Sequence, residues 1–99
     1  MTVVRPYEAL YIVHPELTDE QITAIMEKYK GTIETQGGEV ESVNKWDKRR
    51  LAYEVKGQME GIYILMLFKS EPAASAELDR LLKIADDVIR HIIIRRDED

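Results

Sequence analysis

Tyr7, Ala9, Tyr11 and Val13 fall in one phase of a two-residue alternation, and Glu8, Leu10, Ile12 and His14 in the other, which is the period of a strand. Pro15 ends that run. From Thr18 the period becomes helical: Ile22, Ile25, Met26, Tyr29 and Ile33 make one apolar stripe. Thr18 and Gln21 form a capping box, Leu17 and Ile22 are placed to staple across it, and Gly37-Gly38 stops the helix with a natural left-handed cap. Glu39 to Val55 reads as a long, irregular extended segment, with Val40, Val43, Trp46, Leu51, Tyr53 and Val55 as its apolar positions. Gly57 to Gly61 reads as a turn and Ile62 to Phe68 as the strongest strand, so the two extended segments pair as a hairpin. Pro72 suits the first turn of a second helix, striped by Ala74, Leu78, Leu81, Leu82 and Ala85. Asp86-Asp87 breaks that helix, and Val88 to Ile94 is the last strand.

The order βαββαβ predicts a ferredoxin-like split βαβ sandwich, an α+β fold. Right-handed crossovers put both helices on one face of a four-stranded antiparallel sheet of order 4-1-3-2. Strands are expected near 3–13, 39–55, 61–69 and 88–96, and helices near 18–36 and 73–85. The 99 residues have room for one domain, 1–99, closed by a short acidic tail at 97–99.

Two helices cover one sheet face, so the other should be polar in a chain that works alone. It does not read that way. The third strand is apolar in both phases, and the first strand's phase holding Glu8 and His14 also carries Leu10 and Ile12. Leu10, Ile12, Tyr63, Leu65 and Leu67 are therefore the candidate partner surface, a patch of a few hundred Å² if all are exposed. The competing readings are that the long hairpin or the tail folds back over it, or that the chain self-associates.

Composition narrows the chemistry. Hydrophobic residues are 44% and charged residues 33%, with 14 basic against 19 acidic side chains and a net charge of −5, so any polyanion must be met by a local patch. One such patch exists. Lys45, Lys48, Arg49, Arg50 and Lys56 lie within twelve residues that hold only Asp47 and Glu54 as acids; the window carries +3 and the rest of the chain −8. Trp46, the only tryptophan, sits inside it. A basic arm bearing an aromatic suits a phosphate backbone with a base stacked beside it. Equally, the charges would solvate an exposed strand edge and discourage edge pairing. Lys45, Trp46, Lys48, Arg49, Arg50 and Lys56 are the candidate RNA contacts.

Catalytic constellations are poor. With no cysteine, disulfides, thiolate nucleophiles and cysteine-ligated metals are excluded. His14 and His91 lack metal-ligand spacing, no serine lies in a nucleophile elbow, and no glycine-rich phosphate cradle exists. The loop His14-Pro15-Glu16 lacks the arginine and glycine that acylphosphatases carry after their first strand. The RNA-recognition motif shares the order of elements, but Gly61 to Leu67 holds one aromatic where that motif's third strand holds alternating aromatics. No metal or cofactor is expected. Met1 to Pro6 has no basic leader before an apolar stretch, and the longest purely apolar run, Ile62 to Phe68, is seven residues, so a cytoplasmic chain without a membrane partner is expected.

From about residue 5 to residue 96 the chain resembles the family of ribosomal protein six of the bacterial small subunit. The resemblance rests on Tyr7-Glu8 and the strand closing in His14-Pro15, on Arg49-Arg50-Leu51-Ala52-Tyr53-Glu54-Val55-Lys56, on Gly61-Ile62-Tyr63 and on Arg90-His91-Ile92-Ile93-Ile94-Arg95. Asp47 departs from the glycine that usually follows the tryptophan, and Val55 from the commoner isoleucine. The resemblance implies a structural, non-catalytic protein of the ribosome. It implies binding to the central domain of 16S ribosomal RNA together with small-subunit ribosomal protein eighteen, as a heterodimer. The alternative from another class is a homo-oligomeric ferredoxin-like module that binds a small molecule or regulates.

Overall fold

The structure is a computed structural model that describes residues 3–96; the acidic tail expected at 97–99 lies outside the described residues. The elements are β1 (Arg5–Val13), α1 (Asp19–Thr35), β2 (Glu39–Val55), β3 (Gln58–Ser70), α2 (Pro72–Ile84) and β4 (Val88–Arg95). The sheet order is β2-β3-β1-β4 with every pairing antiparallel, the predicted order read from the other edge.

Local chemistry sets the bounds of α1. The Thr18 hydroxyl accepts from the Gln21 amide at 3.2 Å, and the Thr18 amide donates to Gln21 Oε1 at 2.9 Å. At the far end Gly37, at φ 87°, donates to Glu34 O and Gly38 to Ile33 O, the paired bonds of a Schellman cap. The turn expected over Gly57 to Gly61 is shorter than that. Lys56 (φ 51°) and Gly57 (φ 78°) alone link Val55 to Gln58, because positive φ at both central residues matches the right-handed twist of the flanking strands. β3 accordingly starts three residues earlier than expected.

The main core fills the space between the sheet and both helices. Tyr7, Ala9, Tyr11 and Val13 of β1 and Ile62, Ile64, Met66 and Phe68 of β3 meet Ile22, Ile25, Tyr29 and Ile33 of α1 and Ala74, Leu78 and Leu82 of α2. Tyr7 stacks on Phe68, and Tyr11 meets Tyr29 edge-on, each pair 5.4 Å between ring centroids. A second, smaller cluster lies on the opposite side of the sheet: Ile12, Leu51 and Ile89, with Val55 and Tyr63 against them. This cluster corrects one expectation. Ile12 does point away from the helices, but it is only 7% exposed, because the far end of β2 bends over it and supplies Leu51. A bulge in the β1–β4 pairing, where Val88 opposes Val13 and Arg90 opposes Ile12, turns Ile89 toward the same cluster.

Candidate functional site

The helix-free face has an apolar centre. Leu10 pairs with Leu65 on one side and with Ile92 on the other, so three strands place aliphatic side chains in one row. Leu67 and Ile94 flank Glu8 in the next row. Leu10, Tyr63, Leu65 and Leu67 are half-buried, whereas Ile92 and Ile94 are 52% and 46% exposed. The sequence reading missed these last two. The signal was present in the unbroken run Ile92-Ile93-Ile94, which is apolar in both phases of a strand that also has an open face. Ile12, buried beneath Leu51, does not contribute to this surface.

Charged groups mark one end of this face. Glu41 takes Arg96 at 3.1 Å and Lys69 at 3.5 Å. At the other end the Arg90 guanidinium donates to the Tyr53 hydroxyl and lies 5.6 Å from that ring's centroid.

The basic arm is divided between the two sides of β2. Lys45 opposes the core residue Ile64 and reaches Asp19 in the first turn of α1 at 3.3 Å, so this lysine is spent on an intramolecular ion pair on the helix side. Lys48 opposes Ile62, another core residue, and lines a cavity of about 390 Å³ with Arg50, Pro15, Glu16 and Glu60. Arg49 opposes Gly61 and lies on the open side. Its guanidinium carbon is 5.2 Å from the centroid of the Trp46 ring, and Trp46 stacks on Tyr63 at 6.2 Å with 16° between planes. Lys56 sits at the hairpin turn and donates to Val88 O at 3.4 Å.

The titratable groups are those of a scaffold. Burial pushes the Tyr11 phenol well above its ordinary range, with Tyr29 adding to it, and burial and then Asp87 raise Tyr29. The hydrogen bond from Arg80 holds Glu77 below the usual carboxylate range, and the hydrogen bond to His91 does the same for Asp79. Each lowered carboxylate faces a structural partner on α2 or β4, which favours its charged form and leaves it a poor proton donor. Among the described residues no three metal-ligating side chains cluster, and no helix is long and apolar enough to cross a membrane.

Comparison with known proteins agrees with this architecture along the whole of the sheet and both helices. The family profile of ribosomal protein S6 matches residues 6–95. Small ribosomal subunit protein bS6 of Desulforamulus reducens is 58% identical over 95 residues, covering 96% of this chain and 100% of its own length. Its counterpart from Carboxydothermus hydrogenoformans is 52% identical over 96 residues, covering 97% and 100%. The crystal structure of 30S ribosomal protein S6 from Thermotoga maritima superimposes with a TM-score of 0.88 at 28% identity, covering 95% of this chain and 89% of that one. The chain belongs to the ribosomal protein S6 family, whose members are structural components of the small ribosomal subunit and not enzymes.

Proposed function

We propose that this chain is assembled into the small ribosomal subunit by holding small-subunit ribosomal protein eighteen on its helix-free face, and that the pair binds the central domain of 16S ribosomal RNA. The observation that carries this reading is the aliphatic row of half-buried Leu10 and Leu65 with exposed Ile92, and Ile94 and Leu67 beside it, on a face that neither helix covers. A surface of that kind is retained for a protein contact. The basic arm next to it supplies the RNA contact. One short arm neutralises few phosphates, so its RNA affinity alone is weak and rises when the partner contributes its own charges.

The test is binding of a 16S central-domain fragment to this chain, to ribosomal protein eighteen and to their mixture, at several salt concentrations. The mixture is expected to bind more tightly than either protein alone. If this chain adds nothing to the affinity of ribosomal protein eighteen, and forms a stable homodimer through the same face, it is a self-associating module and the proposal fails.

A further inference from the structure

We infer that Arg49 and Trp46 form a stacking site for one unpaired RNA nucleotide, distinct from the rest of the basic arm; the inference rests on the RNA role proposed above. The sheet register separates these two residues from their neighbours. Lys48 opposes Ile62, which belongs to the helix-side core, while Arg49 opposes Gly61 on the open side. The guanidinium lies over the indole, and the indole continues as a near-parallel stack onto Tyr63.

Two properties of this ladder suit a nucleotide. Arg49 has no carboxylate within salt-bridge distance among the described residues, whereas Lys45, Lys69, Arg80, Lys83 and Arg96 each have one. A guanidinium placed over an aromatic ring spends none of its N–H donors on that contact, and those donors can meet a phosphate in a fork. The outer face of the exposed Arg49 guanidinium offers a stacking surface to a base, with the 37% exposed indole beneath it, and stacking accepts any base. A protein carboxylate would use the fork but not the rings. The +3 charge of the surrounding window on a −8 body further favours a polyanion. Because Tyr63 also borders the apolar row, the nucleotide sits at the margin of the protein–protein contact.

The test uses the full chain in complex with ribosomal protein eighteen and the 16S central-domain fragment. Arg49→Lys keeps the charge and removes the planar fork, so RNA affinity is expected to fall about tenfold with the salt slope unchanged. In the unaltered complex, ultraviolet cross-linking is expected to join RNA to the peptide carrying Trp46. Arg49→Lys binding RNA as tightly as the unaltered chain, or cross-links that spare Trp46, would overturn the inference. So would an Arg49→Lys variant that loses ribosomal protein eighteen in the absence of RNA, which assigns the ladder to the protein contact. If the unaltered complex does not bind the fragment at all, the function proposed above fails, and this inference with it; Arg49→Lys behaving as the unaltered chain in a complex that binds well overturns this inference alone.

Discussion

Gly61 lies directly against Ile12: a Cβ added at Gly61 would overlap Ile12 Cγ2 and come within 3.3 Å of the Val13 carbonyl oxygen. β3 runs beside β1 here, one residue from the Val13–Ile62 pair, and Leu51 of β2 packs on Ile12 in the same cluster. Gly61→Ala is expected to destabilise the fold by about 1–3 kcal/mol, because a branched side chain cannot step aside in a packed cluster. Urea unfolding measures it. An unchanged midpoint means that the strands separate without cost and that the packing argument is wrong.

Ile12 and Leu65 both face away from the helices, yet aspartate at the two positions should act differently. At Ile12 it buries a charge in the Leu51–Ile89 cluster and should lower the folded fraction itself. At Leu65, half-buried and open to the apolar row, it should leave the unfolding free energy within about 1 kcal/mol of the unaltered chain. The same change should weaken association with ribosomal protein eighteen. Unfolding curves beside a pull-down of the two proteins separate the effects, and equal loss of partner binding without loss of stability at Ile12 contradicts this account.

The legible parts of the molecule are those written in local chemistry. The capping box at Thr18, the paired glycines at Gly37 and Gly38, and the switch of period between strands and helices each act over a few residues, so α1 and the strand order could be read without coordinates. The turn at Lys56-Gly57 could not, because a lysine at positive φ carries no compositional signal and the glycine alone suggests a longer loop. Burial of Ile12 depends on how far β2 twists over β1. Exposure of Ile92 and Ile94 on the open face depends on the bulge that resets the phase of β4 after Ile89. The division of the arm follows from bulges too: with register shifts between Val40 and Ser42, and between Lys45 and Lys48, counting along β2 does not say which basic residues share a face. Lys45 was also indistinguishable from its neighbours until α1 brought Asp19 beside it.

The α2–β4 contact gives the fold a weak dependence on acid. His91 Nε2 lies 2.8 Å from Asp79 Oδ1, with Lys83 3.6 Å from the other carboxylate oxygen. The hydrogen bond to His91 is the main cause that lowers the Asp79 pKa. A carboxylate lowered in the folded state contributes stability above its ordinary pKa of about 3.9 and loses it as pH falls through the folded value. Asp79 is 44% exposed, so the contribution is at most about 1 kcal/mol. Asp79→Asn should therefore unfold at lower urea than the unaltered chain near neutral pH, and the gap should close below about pH 4. A gap independent of pH would mean that the charge on Asp79 contributes nothing.

Replacing Lys48, Arg49 and Arg50 together by alanine removes three positive charges from the arm without touching either hydrophobic cluster. None of the three forms an ion pair with a carboxylate among the described residues, so the fold should tolerate their loss. RNA binding should weaken and its salt dependence should flatten, each lost phosphate contact removing about 0.7–0.9 from the slope of log affinity against log salt. Lys48 and Arg50 stand on the opposite side of β2 from Arg49, so an RNA that reaches all three must pass around the edge strand; an RNA confined to the open face loses only the contribution of Arg49. The size of the slope change therefore counts the faces in use. A decrease of about 0.7–0.9 indicates one phosphate on one face, and about 2 or more indicates an RNA wrapped over the edge. Affinities at several salt concentrations, with ribosomal protein eighteen present for both chains, give the slope. If it does not change, these three side chains serve the protein contact or solvation of the strand edge and have no part in neutralising RNA phosphates.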